Sequence, residues 1–389
     1  MGGEGTYLRR ESLNNLKSVN AVIFDCDGVL IDIRESYNKA NSQVVAFMMK
    51  ELTGSSFAEN LVSRETVYLF KKSGGFNNDW DLTFVLLATI LCKLPKDFRA
   101  TFKKRVKLSR SEKALLRRFL SVKEGIRKEW DPAALDNLRD ALEDAIKETA
   151  EKSDASGIVS FEEKLVKDGS EELRDFYVVV KSFLSYPGGV GESLLTTVYE
   201  EIFCGPQLFK GLYGQEPRFY WGKGLIENEQ VIIQPETLKQ LVSTLSEANF
   251  GIASGRLRQL TEYVLKELLD GFDSKALVFL DDIIAAEGEA TRREGIEVNL
   301  KKPNPYSLLR SSKGLRPFRR ALYVGDSMED AMVVKEANRL DPRFLFAGVY
   351  RHSDCKEEVL NDFLKAEADM ILPSVNELPE LLEVIKEKG

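Results

Sequence analysis

Residues 22–32 read VIFDCDGVLID: an apolar run that stops on an aspartate, repeats it two positions later and then reaches a glycine. Side chains two apart along a strand point the same way. Asp25 and Asp27 are therefore expected to enter one pocket at the end of a buried strand, while Cys26 turns away into the sheet packing. Two carboxylates that close repel each other unless a cation or a shared proton compensates. Mg²⁺, a hard ion that takes a few carboxylates, a carbonyl and waters, is the natural partner. Gly28 lets the chain turn sharply where a side chain would obstruct.

Similar apolar runs recur downstream, FGIA at 250–253, ALVFL at 276–280, ALYVG at 321–325 and FLFAGV at 344–349, each followed by loop residues and a helical pattern. Strands alternating with helices predict an α/β fold with a Rossmann-like, doubly wound parallel sheet. Ligands of such sheets sit at the carboxyl ends of the strands, where Asp25, Ser254, Asp281 and Asp326 fall. Between the first run and the second the pattern is almost entirely helical, as in TVYLFKKS, DLTFVLLATILCKL and EKALLRRFL. The expected organisation is an α/β core of residues 1–33 and 236–389, with a large all-α cap domain, 34–235, inserted after the first strand. Within the cap, 96–195 reads as an extra charged helical insertion. Residues 96–130 carry 13 Lys and Arg against 4 Asp and Glu, and residues 131–175 carry 6 against 14. Opposite charges pairing within the insertion explain that contrast best, with a docking patch as the competing reading. EKSDASG at 151–157 reads as a loop.

Composition removes rival chemistries. The 389 residues include one histidine, His352, so mechanisms built on Ser-His-Asp, Cys-His or histidine-rich metal sites lack their parts. His352 itself has no obvious acid partner and is expected on a surface loop. The four cysteines show no spacing for zinc or a disulfide framework. A net charge of −7 argues against general nucleic-acid binding. No apolar run reaches the roughly 18 residues of a membrane span, and the first residues lack a secretory pattern. A cytoplasmic protein, monomeric or homodimeric, is expected.

Four motifs follow one another in a recognisable order. DCDGVLID resembles the first motif of the haloacid dehalogenase superfamily of phosphatases. Ser254-Gly255-Arg256, after FGIA, resembles the second, where a hydroxyl and backbone N–H groups at a helix start hold phosphate. Lys302 in KKPNP resembles the third, a lysine that offsets charge between nucleophile and phosphate. GDSMED, with Asp326 and Asp330, resembles the fourth, an acidic metal site. The resemblance implies that Asp25 is the nucleophile and Asp27 the general acid and base. It also implies that Mg²⁺ is held by the Asp25 carboxylate, the Asp27 carbonyl and Asp326. Asp330 is expected to orient Lys302 or a metal-bound water rather than bind metal directly. Arg256 has two readings, a substrate contact or a surface residue. Dehalogenating members lack the second acid, so Asp27 points to phosphate esters.

The position of the insertion resembles that of phosphoglycolate phosphatase-like members of capped subfamily I. KKSGGFNNDWDLT at 71–83, GLIENEQVIIQPETLKQL at 224–241, and LDDI followed by KPNP are similar to a largely uncharacterised group there. In capped relatives the loop at GGFNNDWD reaches toward substrate, which implies binding roles for Phe76, Asn77 and Asp79. The alternative is a helix–helix turn with Trp80 buried and Asp79 as a helix cap. The functional expectation is a Mg²⁺-dependent phosphatase acting on a small phosphorylated metabolite. The competing readings are a phosphomutase of the β-phosphoglucomutase type and a non-enzymatic scaffold using the long insertion.

Overall fold

Apolar runs that bury both faces of a strand do so inside a parallel sheet flanked by helices, and that is where these runs lie. The computed structural model describes residues 5–387 except 77, 132–134, 136 and 248. Among the described residues the strands, in chain order, are β1 Tyr7–Leu8, β2 Val19–Phe24, β3 Ile31–Asp32, β4 Gln230–Val231, β5 Phe250–Ala253, β6 Leu277–Val278, β7 Arg320–Gly325, β8 Phe344–Val349 and β9 Met370–Leu372. The chain divides into two compact units, Met1–Arg34 with Glu229–Gly389, and Glu35–Asn228.

The first unit holds a seven-stranded sheet in the order β1-β9-β8-β7-β2-β5-β6. All neighbours run parallel except β1, which is antiparallel to β9. From β2 the chain winds one way to β5 and β6; from β7 it winds the other way to β8 and β9. The direction reverses between β2 and β7, the topological switch point at which doubly wound folds bind ligands. β5 and β8 are buried along their whole length, and their apolar side chains join those of β2 and β7 in one core.

The run 276–280 differs from expectation. Only Leu277 and Val278 are strand, because the Asp282 carboxylate accepts the Phe279 N–H at 2.9 Å and starts a helix at Leu280. Asp281 consequently lies in that helix's first turn and accepts the Arg258 amide at 2.8 Å. The short pair β3–β4, antiparallel with Asp32 opposite Gln230, ties the chain just before it leaves the first unit to the chain just after it returns.

The second unit is built around the helix Asp79–Lys93, whose residues 82–92 are all buried. The charged segments of the insertion do pair with each other. Lys96 and Arg99 lie 3.2 and 3.8 Å from Glu172, and Lys103 lies 3.7 Å from Asp175. These contacts join the helices Lys96–Leu108 and Glu171–Leu184. No helix of the described residues is long and apolar enough to cross a membrane.

Candidate active site

The switch point brings two strand ends together. The Asp25 amide donates to the Val324 carbonyl at 2.9 Å, so the residues following β2 and β7 run side by side. Asp25 and Asp326 are the first residues past those ends. Gly28 has φ +71°, and a Cβ placed there would sit 2.0 Å from Asp326 Oδ2. The glycine of DCDG thus does more than turn the chain: its missing side chain is the space that the Asp326 carboxylate occupies. Cys26 turns into the core as its position between the two acids predicts, and burial pushes its thiol up.

Lys302 enters the same pocket. Its Nζ lies 3.1 Å from Asp25 Oδ2 and donates to Asp330 Oδ1 at 2.6 Å. Burial disfavours its charge, but the Asp25 and Asp330 carboxylates outweigh this and hold its pKa well above the usual lysine value. Asp330 is wholly buried and answered on both oxygens. Oδ1 also accepts from the Tyr323 hydroxyl at 3.2 Å, while Oδ2 accepts from the Asp326 and Ser327 amides at 3.2 Å and the Ser327 hydroxyl at 2.7 Å. The Ser327 hydroxyl in turn accepts the Asp330 amide at 3.3 Å, a reciprocal cap on the helix Met328–Leu340. That pattern was legible as S-x-x-D in GDSMED. So held, Asp330 fits a role in orienting Lys302.

The electrostatics call for a cation. Burial raises the Asp25 carboxyl to about 6, opposed by Lys302 and assisted by the Asp330 and Asp27 charges. Burial, then Asp330, Asp25 and Asp27, push Asp326 well above the ordinary aspartate range. Oxygens of Asp25, Asp326 and Asp330 lie within 4.8 Å of one another. An all-oxygen donor set of crowded, partly charged carboxylates fits a hard divalent ion. Because both Asp330 oxygens already carry hydrogen bonds, Asp25 and Asp326 are the side chains best placed to hold it.

Ser254 closes β5. Its hydroxyl favours the ionised form of Asp25, and it accepts the Arg256 amide at 3.3 Å. Gly255 is exposed with open space beside it. Arg256, for which the sequence left substrate contact and surface both open, is not on the surface: its side chain is 0% exposed and Nη1 donates to Asp27 Oδ1 at 2.9 Å. The other end of the guanidinium meets Glu229, which falls in the stretch GLIENEQVIIQPETLKQL but was given no role there, because a long-range ion pair leaves no periodic trace in sequence. His352 is also reassigned. It has an acid partner, with Nδ1 3.3 Å from Asp32 Oδ2, and Asp32 is held well below the ordinary range by Arg34 and His352 against the opposing effect of burial.

The described residues of GGFNNDWD are engaged inside the helical unit. Phe76 is 0% exposed and packs edge-on against Phe70 with centroids 5.1 Å apart, so it has no free face for a ligand. A Cβ on Gly75 would lie 2.2 Å from the Asp154 carbonyl, which accounts for glycine by close backbone approach. Asn78, rather than Asp79, caps the following helix by accepting the Trp80 amide at 2.9 Å. Asp79 accepts from Asn41 at 2.8 Å and lies 3.1 Å from Lys71. Asn77 lies outside the described residues.

No family model and no curated protein matches the chain. The X-ray structure of Northeast Structural Genomics Consortium target ZR25 shares its fold, at 18% identity and a TM-score of 0.65, covering 95% of this chain and 100% of that one. Phosphatase Tt82 from Thermococcus thioreducens aligns at 18% identity over 89% of this chain and 98% of that one. Its TM-score of 0.45 is too loose to bear on the site.

Proposed function

We propose that the protein is a Mg²⁺-dependent phosphatase that hydrolyses a small phosphorylated metabolite through an aspartyl-phosphate on Asp25. The observation that carries this reading is the convergence of Asp25, Lys302, Asp326 and Asp330 at the switch point, where an anionic phosphoryl group would meet one buried lysine and a divalent-ion site. Titrating at about 6, Asp25 is mostly ionised at neutral pH, as a nucleophile requires.

In the first step an Asp25 oxygen bonds to phosphorus as the bond to the leaving oxygen breaks, and Asp27 delivers a proton to that oxygen. In the second, Asp27 takes a proton from water as the water oxygen bonds to phosphorus. The Asp25–phosphate bond breaks, releasing inorganic phosphate and restoring the carboxylate. Lys302, steered by Asp330, offsets charge between the nucleophile and the phosphoryl oxygens. Ser254, with Gly255 beside it, supplies the phosphate-binding corner. Mg²⁺, when held by Asp25 and Asp326, would neutralise charge on the transferring group.

Asp25→Asn is expected to lower phosphate release from 4-nitrophenyl phosphate by about 10³-fold or more, with an unchanged far-UV circular dichroism spectrum; substantial surviving turnover would remove Asp25 as nucleophile. A panel of phosphometabolites assayed for released phosphate then identifies the substrate. Isomer formation without phosphate release would identify a mutase instead.

A further inference from the structure

Arg256 heads the largest fully buried side chains of the described residues, and a buried guanidinium is costly unless carboxylates answer it. Two do. Nη2 donates to Glu229 Oε2 at 2.6 Å and Nη1 to Glu229 Oε1 at 3.2 Å, a two-point clasp between side chains that are both 0% exposed. The clasp alone balances the charge. Nη1 also reaches Asp27 Oδ1 at 2.9 Å, and Asp27 is the partly open member of the group, with 29% of its side chain exposed. One side of the guanidinium is therefore sealed, and the other is presented to the acid at the edge of the site.

We infer that Arg256 and Glu229 are positioning residues for Asp27: Glu229 sets the plane of the guanidinium, and the guanidinium holds the Asp27 carboxylate where it exchanges protons. The inference rests on the phosphatase reading above. Three features of the α/β unit support it. A planar guanidinium bound at two points fixes the direction of its remaining donors, as a lysine would not. The Arg256 amide is bonded to the Ser254 hydroxyl at 3.3 Å, so the residue is registered on the phosphate-binding corner. Glu229 immediately precedes β4, whose Gln230 stands opposite Asp32 on the strand that follows the Asp25–Asp27 turn. The Glu229 end of the clasp is thus placed by the strand pair that follows the nucleophile loop. Small displacements of a proton-transferring group lower rates steeply, so the clasp acts on the steps that need Asp27.

The test separates steps that need Asp27 from one that does not. Expulsion of nitrophenolate requires no acid, whereas expulsion of an alkoxide needs Asp27 as the acid and hydrolysis of the phosphoenzyme needs it as the base. Stopped-flow measurement with 4-nitrophenyl phosphate is expected to show that Arg256→Met keeps the first-turnover release of nitrophenolate near the wild-type rate. Subsequent turnover should slow about 10²-fold, and hydrolysis of an alkyl phosphate should fall by about 10² to 10³-fold in kcat with little change in KM. Glu229→Gln should show the same pattern at smaller size, and it carries the test if Arg256→Met does not fold. Equal losses in the first turnover and the later steps, or no loss in either variant, would overturn the inference while leaving the phosphatase reading intact. A folded wild-type protein that hydrolyses no phosphate ester would instead overturn the reading itself, and the inference with it.

Discussion

Burial acts on the Asp25 carboxylate more strongly than Lys302 does, and the native carboxyl titrates at about 6 rather than near its ordinary value of 3.8. A group whose native pKa is raised binds more protons folded than unfolded in the window between the two values, so rising pH lowers stability across it. For Asp25 that window runs from the ordinary value to about 6, and Asp326 adds to the effect in the same direction. The cost is present at neutral pH and absent in acid. A cation that replaces the proton removes it. The rise in melting temperature produced by MgCl₂ is therefore expected to be larger near pH 7.5 than near pH 5. Differential scanning fluorimetry at the two pH values checks this; a shift of equal size at both, or none, would remove the metal from this carboxylate pair.

Local elements explain why several conspicuous residues are where they are. The turn after β2 needs a glycine at 28 because Asp326 fills the side-chain space, a reason that comes from another strand. The loop GGFNNDWD was expected to carry specificity, yet Gly75 and Phe76 serve packing and Gly74 supplies a turn at φ +80°. Phe76→Ala is accordingly expected to destabilise the helical unit by about 3 to 5 kcal/mol, as for other wholly buried phenylalanines, which urea denaturation followed by circular dichroism would measure. A loss below about 1 kcal/mol would return Phe76 to the list of ligand contacts. Sequence reading placed β5 and β8 to the residue, since a strand buried on both faces is a continuous apolar run. It overran β6 because Phe279 continues the apolar run while Asp282 already caps the next helix.

At the scale of the whole chain, the helical segment Glu35–Asn228 is contiguous and has its own core, whereas the α/β unit is assembled from two separated stretches. Continuity and an independent core are what a segment needs to fold alone. Residues 35–228 expressed by themselves are expected to give a helical spectrum and a cooperative thermal transition. A non-cooperative melt would show that the segment depends on the rest of the chain. The charge contrast along 96–175 contributes to this unit as exposed pairs between its own helices, each worth about 1 kcal/mol or less.

By itself the sequence determined the alternation of strand and helix, the long helical insertion, and the order of Asp25, Asp27, Ser254, Lys302, Asp326 and Asp330. Each of these is written in adjacent residues, as an apolar run, a period or a short motif. Only the tertiary structure decided that Asp330 accepts a hydrogen bond from Lys302, that Arg256 is buried between Glu229 and Asp27, and that His352 pairs with Asp32. Those are contacts between residues far apart in the chain. Ion pairs and hydrogen bonds of that kind depend on where strands end in space, and the periodicities that build strands and helices carry no record of them.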